Sequence, residues 1–261
     1  MNKFKQIWPL AGALGALNKL KCVSLVLAAL ICATNPVWAA SDREAANERL
    51  DHAGKVLAEI MAAPDNGIPE EVLDHAKCIA VVPHMIKGGL VFGAENGRGV
   101  ATCRVPEDQT AGAHKARVWS APAFFAITGG SWGLQIGVEG VDLVMIIQND
   151  HGMQQLLSSK FELGGDASAA AGPVGRHASA DTNWKLEMEI LTYSRAKGVF
   201  AGLTLNGAAI RRDDDSMNAF YGREVTNRAV LTGEVIAPAS AAPFLNAVKS
   251  ARAQAMTEEH K

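Results

Sequence analysis

The feature that most constrains this chain is a long stretch, residues 78–210, in which hydrophobic residues recur with a period of two in short, glycine-rich segments. In WGLQIGVE (132–139), for example, tryptophan, leucine, isoleucine and valine alternate with glycine, glutamine, glycine and glutamate. Because alternate residues of a β-strand point to opposite sides, this period predicts strands with one buried side. The 25 glycines in 261 residues also indicate turns and close backbone contacts. We therefore predict an α+β fold with a mainly antiparallel, glycine-rich sheet, curled like a barrel or a sandwich.

Turn residues and apolar runs place the individual strands. CIAVVPH is predicted to be a short buried strand. GGLVFGAE and RGVATCRV are predicted to pair as a hairpin about Asn96-Gly97, because this dipeptide is favoured in two-residue hairpin turns. Further strands are predicted in VWSAPAFFAIT, SWGLQIGVEG, VDLVMIIQ, WKLEMEILTYS and KGVFAGLTLNGAAI.

Helices are predicted before, within and after this sheet region. Residues 41–63 begin with a capping box, Ser41 and Glu44, and carry one narrow apolar stripe made of Ala46, Leu50, Ala53, Leu57 and Ile60. Short helices are predicted after Pro69, after Asn149 or Asp150, and in RDDDSMNAFYG. The C-terminal helix is predicted in PASAAPFLNAVKSARAQAM.

The first 40 residues differ in kind from the rest. They contain four lysines, no acidic residue, the apolar run CVSLVLAALICA and small residues at their end. This layout predicts a signal peptide over residues 1–40, with an uncleaved N-terminal anchor as the alternative. Neither Cys22 nor Cys32 follows the small residue that a lipoprotein signal requires. We expect an exported, periplasmic protein, free or membrane-associated, whose residues 41–261 form one domain with its core at about 68–222.

The charge of the processed chain restricts its partners. Removal of residues 1–40 leaves 21 Lys plus Arg against 27 Asp plus Glu, a formal charge of −6. A net-acidic protein is not a general binder of polyanions, so nucleic acid is not an expected partner. Binding to an anionic lipid would require a local basic patch that acts against the overall field.

Two cysteines remain after processing, Cys78 and Cys103. Both lie in predicted strands, and an exported compartment permits a disulfide between them. Two buried free thiols are the alternative. The sequence has no CxxC motif and no cysteine–histidine cluster with zinc spacing, so no metal site is predicted.

One catalytic motif matches, the G-x-S-x-G of a hydrolase nucleophile elbow around Ser131. The elbow requires a helix directly after the serine, whereas the residues that follow have a period of two. A β-turn between two strands therefore explains the match better than a nucleophile does.

The stretch GGDASAAAGPVGRHA (164–178) has the small residues and the positive charge of a phosphate-binding loop. It lacks the Gly-Lys-Ser/Thr ending of a Walker loop, and Pro173 interrupts the helix that a dinucleotide fingerprint requires. We interpret residues 166–171 as a strand almost without side chains and residues 172–175 as a turn, so that another element can approach the sheet closely. No cofactor is predicted.

The cations that follow strand-like or small-residue segments form a hypothetical anion-facing patch. They are Lys87, Arg176, Arg195 and Lys197. The acidic run Asp213–Asp215 is interpreted as a helix cap rather than a calcium loop, because no glycine and closing glutamate follow it.

Several stretches between residues 68 and 222 together, and in this order, resemble the SYLF domain. They are IPEEVLDHAKCIAVVPHMIKGGLVFGAENGRGVATCRV, WSAPAFFAITGGSWGLQIGVEGVDLVMII, LGGDASAAAGPVGRHASA, YSRAKGVFAGLTLNGAAI and NAFYG. The resemblance implies a lipid-binding module without catalytic residues. Eukaryotic members bind phosphoinositides, partly through an N-terminal amphipathic helix, and some bind and bundle actin. Bacterial members are typically exported.

This chain departs from the family pattern in three respects. It has no lipobox, and it carries Cys78 and Cys103 where small or aliphatic residues are more usual. Its helix at 42–63 has five acidic residues against three Lys or Arg, a balance unlike that of a phosphoinositide-binding helix. We expect an exported, envelope-associated, non-catalytic protein that binds anionic lipid or a membrane surface. The alternative is a module that binds a protein partner through the glycine-rich sheet face, and the third hypothesis is a Ser131 hydrolase.

Overall fold

The computed structural model describes residues 35–62, 67–89, 92–105, 118–132, 137–173, 188–196, 199–202, 205 and 207–258. The chain divides into two compact units, residues 1–42 and 43–261. The first unit is described only over residues 35–42, which are helical. Everything below concerns the second unit unless stated otherwise.

The strands of the described residues form one sheet. They are β1 (Cys78–Gly89), β2 (Phe92–Val105), β3 (Val118–Trp119), β4 (Ala123–Trp132), β5 (Gly137–Ile147), β6 (Lys160–Glu162), β7 (Ala169–Ala171), β8 (Ile190–Ala196), β9 (Val199–Gly202) and β10 (Ala209–Arg212). The strand order is β6-β10-β4-β2-β1-β5-β8-β7, while β3 pairs with β2 and β9 with β8. The described pairs are antiparallel except β7 with β8. The predicted α+β fold with a mainly antiparallel sheet is confirmed.

The chain connection between β6 and β7 shows that the sheet is curled. These strands stand at opposite ends of the strand order, yet only residues 163–168 separate them. Seven strand spacings of about 4.8 Å would put the edges of a flat sheet roughly 34 Å apart. The six connecting residues make seven Cα–Cα steps from Glu162 to Ala169, which reach about 25 Å at most. Within this connection a bridge joins Leu163, which follows β6, to Ala167, which precedes β7. The sheet must therefore curl until its edges are neighbours.

The register divides the side chains of the sheet into two faces, because directly opposite residues point to the same side. The inner face carries Phe125 and Ile127 of β4, with Ile210 of β10 opposite Ile127. The outer face carries Phe124, whose ring centroid lies 5.1 Å from that of Phe220. Helices cover the outer face at this end, and one hydrophobic core includes buried residues of both faces, Phe124 on the outer face and Phe125 and Ile127 on the inner face.

The helices of the described residues are α1 (Asn35–Met61), α2 (Glu70–His75), α3 (Asp150–Leu157), α4 (Asp214–Tyr221), α5 (Asn227–Leu231) and α6 (Ala242–Glu258), with a 3₁₀ turn at Ala239–Ala241. Four of the six described helices begin near their predicted positions, whereas α1 begins earlier and α5 lies where no helix is predicted. The predicted caps of α3 and α4 are present: Asn149 accepts a hydrogen bond from the Gly152 amide, and Asp213 from the Ser216 amide. The apolar stripe predicted for α1 is fully buried. Its predicted start at Ser41 is wrong, because the helix begins at Asn35.

The hairpin between β1 and β2 turns elsewhere than predicted. Asn96 and Gly97 lie inside β2, and the pairing continues past them until Gly89 stands opposite Gly93. A Cβ on Gly97 would lie 2.6 Å from Val82 Cγ1. Gly97 therefore allows a neighbouring side chain to cover the backbone, and the predicted turn at this position is wrong.

Two other predicted boundaries differ from the structure. The segments GVEG and VDLVMII, assigned to separate strands, form the single strand β5. The side-chain-poor strand expected over residues 166–171 is shorter, Ala169–Ala171, because Asp166 lies in a turn where its carboxylate accepts a hydrogen bond from the Glu162 amide.

The two cysteines are joined. Cys78 of β1 and Cys103 of β2 are directly opposite in the register, both side chains are buried, and their sulfurs are bonded. The disulfide closes the end of the β1–β2 pair that lies away from the hairpin turn.

Glycines leave space on the inner face that neighbouring side chains fill. A Cβ on Gly99 would lie 2.4 Å from Phe125 Cζ and 2.7 Å from the Val81 carbonyl oxygen, and that backbone atom cannot move aside.

We expect Gly99→Ala to lower the free energy of unfolding by about 1–3 kcal/mol, measured by urea denaturation. Gly140→Ala is the control, since nothing lies within 4 Å of its Cβ position. It should raise stability by about 0.4–1 kcal/mol. Equal effects of both substitutions would contradict the packing argument.

Candidate functional site

Lys87 lies on the inner face of β1, next to the hairpin turn. Its Nζ is 2.9 Å from Glu95 Oε1 on β2, and both side chains are largely buried. A buried cation with its own carboxylate partner is neutralised locally. Lys87 is therefore a member of an internal ion pair in this structure.

Arg195 lies on the opposite, outer face, on β8. Its Nη2 is 3.1 Å from Asp142 Oδ2 on β5, and it also forms an ion pair with Glu59 of α1. Hydrogen bonds and charge from the two carboxylates outweigh the effect of burial, so the pKa of Arg195 is raised. This cation joins helix α1 to the sheet.

Asp142 also stabilises an irregularity in β1. The register with β5 shifts between Val82 and Met85, and His84 has a positive φ of 54°. Its amide donates a 3.0 Å hydrogen bond to Asp142 Oδ1. This is a β-bulge, in which one strand carries an extra residue and bends, and it leaves the His84 side chain exposed.

The four cations singled out in the sequence are thus placed as follows. Lys87 and Arg195 lie on opposite faces of the sheet and each has acidic partners. Arg176 and Lys197 lie outside the described residues. Among the described residues, the structure does not bring these predicted cations together.

A different set of cations is brought together on the outer face. Lys160 of β6 is directly opposite Arg211 of β10, Arg211 is opposite Ala126 of β4, and Ala126 is opposite Arg98 of β2. We call Lys160, Arg211 and Arg98 the basic row; all three side chains are exposed. Sequence reasoning missed the row because its members are far apart in the chain. Only the alternation within each strand, with the correct pairing order, could have indicated it.

Further along the outer face, beyond α1 and α4, the surface is exposed. Ile86 is 55% exposed, an unusual value for a large hydrophobic residue of a central strand. Its cross-strand neighbours are Asn96 and Gly140, which are also exposed. Ile86 is thus a large exposed apolar side chain flanked by the short side chain of Asn96 and by Gly140, which has none.

Arg49 fastens helix α1 to the other side of the covered region. Its Nη1 donates hydrogen bonds to Asp213 Oδ2 at 3.2 Å and to Ser216 Oγ at 3.0 Å, and its guanidinium lies 5.6 Å from the centre of the Phe124 ring. Burial lowers the pKa of Arg49, and the Asp213 charge opposes that effect. At the other end of α4, Arg43 donates to the Ala219 carbonyl.

Ser131 does not stand at an elbow. It lies inside β4, opposite Gly93 of β2, and the next described element is the strand β5.

Another serine, histidine and carboxylate do meet. Glu189 forms an ion pair with His151 and accepts a 3.0 Å hydrogen bond from Ser168 Oγ. The carboxylate stands between the other two groups, so the imidazole is not placed to take a proton from the hydroxyl as in a catalytic triad. Burial acts to raise the pKa of Glu189, but the hydrogen bonds from Ser168 and His151 outweigh it and lower that pKa.

In the described part of the stretch 164–178, the backbone at Gly172 packs against the ring of Tyr193. A Cβ on Gly172 would lie 2.2 Å from Cζ of Tyr193, whose side chain is fully buried. Burial raises the pKa of the Tyr193 hydroxyl. The small residues of this stretch allow the tyrosine ring to lie against the backbone, and residues 174–178 lie outside the described residues.

The described residues contain neither a membrane-crossing helix nor a cluster of metal ligands. No helix there combines the length and the apolar character needed to cross a bilayer. No group of three or more His, Cys, Asp or Glu side chains in the same residues is placed to hold a metal ion.

A curled, mostly antiparallel sheet with helices at both ends of the described chain defines an α+β domain, in which Lys87, Arg195 and Arg49 each pair with a carboxylate. A family model described as "Ysc84: Las17-binding protein actin regulator" matches residues 128–251. The chain belongs to this Ysc84, or SYLF, domain family, as its sequence resemblance indicated.

Curated relatives include Protein YSC84 of Saccharomyces cerevisiae, 33% identical over 189 residues that cover 71% of this chain and 38% of the relative. SH3 domain-containing YSC84-like protein 1 of Rattus norvegicus is 31% identical over 195 residues, 72% of this chain and 54% of the relative. LAS seventeen-binding protein 3 of Saccharomyces cerevisiae is 30% identical over 206 residues, 76% and 43% respectively. The chain thus spans about half the length of these relatives or less.

Proposed function

We propose that this chain is an exported, non-catalytic module that binds anionic lipid at a membrane surface of the cell envelope. The observation that carries the proposal is that some parts of the sheet surface are covered while another part is exposed. The apolar stripe of α1 is buried and glycine gaps on the inner face are filled by neighbouring side chains. The exposed part of the outer face, with Ile86 and cations nearby, remains available for a partner.

Two observations support export. The N-terminal 40 residues have the composition of a signal peptide. The Cys78–Cys103 bond is of the kind that forms and persists in oxidising compartments such as the periplasm.

Vesicle flotation tests this function. The protein is recovered from the exported fraction, and sequencing of its N-terminus checks whether it begins at Ser41, as cleavage after residue 40 requires. It is then floated with phosphatidylcholine vesicles that contain or lack phosphatidylglycerol. We expect flotation only with the anionic vesicles, and weaker flotation at high salt because salt screens exposed charges. If the protein floats with neither type of vesicle, the proposal is overturned.

A protein partner is the second candidate function. It is favoured by the description of the family model, which names a Las17-binding actin regulator, and by the relatives' names. Co-sedimentation with purified actin filaments separates the two functions. Pelleting with filaments combined with no flotation would favour the protein partner, whereas flotation without pelleting supports lipid binding.

A further inference from the structure

We propose that the basic row, Lys160, Arg211 and Arg98, together with Ile86, is the surface through which this protein docks on an anionic membrane. The inference rests on the proposed lipid-binding function and assigns its site. It differs from binding through the N-terminal amphipathic helix, since the apolar stripe of α1 is buried in the core.

The arrangement of charge carries this inference. Lys160 and Arg211 are directly opposite on neighbouring strands, and like charges in that position destabilise a sheet. Neither forms an ion pair within the described part of the chain. Arg98 is 60% exposed, and its Nε lies 3.8 Å from Asp213, whose carboxylate also pairs with Arg49. Uncompensated cations that face each other on an exposed surface are complementary to a negatively charged surface.

The apolar component lies beside the cations. Ile86 is one cross-strand row away from the basic row, because it is opposite Asn96, and Asn96 is two residues from Arg98 on the same face. An exposed apolar side chain flanked by basic residues is the composition of an interfacial membrane contact.

One acidic residue interrupts the surface. Glu162 is exposed on the same face of β6, two residues from Lys160, with no ion pair among the described residues. Its charge opposes docking on an anionic membrane. Glu162→Gln is therefore expected to strengthen binding to the membrane. The proposal thus predicts a substitution that raises affinity as well as substitutions that lower it.

The experiment compares two double variants of the full protein that lose the same charge. One is Lys160→Gln with Arg211→Gln, in the basic row. The control is Arg228→Gln with Lys249→Gln, two exposed cations on α5 and α6. Binding to phosphatidylcholine–phosphatidylglycerol vesicles is measured by flotation over a lipid titration. A basic residue near an anionic surface contributes about fivefold in affinity, so we expect roughly 25-fold weaker binding for the row variant and a much smaller loss for the control. Glu162→Gln should bind several-fold more tightly.

The outcomes are distinct. Equal weakening of the two double variants, or no weakening of either, would overturn the assignment of the site while wild-type flotation still supports the proposed function. Absence of wild-type flotation would contradict the function itself. Thermal unfolding separates binding from structure: removing the facing like charges should leave the melting temperature unchanged or raise it, and a marked fall would show that the pair has a structural role and overturn the proposal.

Discussion

Asp213→Asn is expected to lower the free energy of unfolding by about 3–5 kcal/mol, because it leaves the buried Arg49 guanidinium without its carboxylate. The two side chains are largely buried, and they join helix α1 to the start of α4. Asparagine can still accept the N-cap hydrogen bond from the Ser216 amide, so the loss comes from Oδ2, which accepts hydrogen bonds from the Arg49 guanidinium and the Ser216 hydroxyl. Urea denaturation followed by circular dichroism gives the value.

Two comparisons make the experiment specific. Asp214→Asn removes a half-exposed carboxylate that pairs with Arg212 at the surface, and it should cost less than about 1 kcal/mol. Adding Arg49→Met to Asp213→Asn removes the unpaired charge and should recover part of the stability, since well-packed apolar residues often replace buried ion pairs without loss. If Asp213→Asn were as stable as Asp214→Asn, the pair would not be a principal link between α1 and the rest of the domain.

Reduction of the Cys78–Cys103 disulfide is expected to lower the free energy of unfolding by about 3.5 kcal/mol. The bond joins residues separated by 25 positions, and in the chain-entropy model opening a loop of that length restores this much freedom to the unfolded chain. Because both cysteines are fully buried, the protein is reduced while unfolded and then refolded with and without reductant. The oxidised and reduced forms have the same sequence and differ only in whether the two sulfurs are bonded or are free thiols, so their difference reports on the bond.

The double variant Cys78→Ala with Cys103→Ala provides the control. Its urea midpoint should be low and should not respond to reductant, whereas that of the wild-type protein should fall when reductant is present. A wild-type midpoint that is insensitive to reductant after full unfolding would show that the cysteines are not bonded in solution. The two-free-thiol alternative would then hold.

The sequence predicted some elements well for an identifiable reason. The sequence predicts one helix cap at Asn149 or Asp150 and another in the run Asp213–Asp215, because short polar side chains before a helix satisfy its free amides. In the structure Asn149 and Asp213 are the residues that do so. The stripe of α1 was read correctly because burial of one helix face leaves a periodic trace. These signals depend on residues that are close together in the chain.

Predictions failed where the same residue type serves two purposes. Asn96-Gly97 has the composition of a hairpin turn, but Gly97 is required because Val82 of the neighbouring strand lies over it. The cations Lys87 and Arg195 were grouped because each follows a strand-like or small-residue segment. Their separation onto opposite faces, each with a carboxylate partner, depends on the register and on the bulge at His84.

The sequence by itself determined the α+β class, the antiparallel strands, the helix caps and the family, because each is recorded in local period, local capping or the order of motifs. Only the tertiary structure decided which strands are neighbours. That order places β10 between β6 and β4 and so aligns Lys160, Arg211 and Arg98, which come from separate parts of the chain. It also places Cys78 opposite Cys103 and Arg49 beside Asp213. Alternation within a strand fixes which residues share a face, but the pairing of strands is set by burial and closure of the whole sheet.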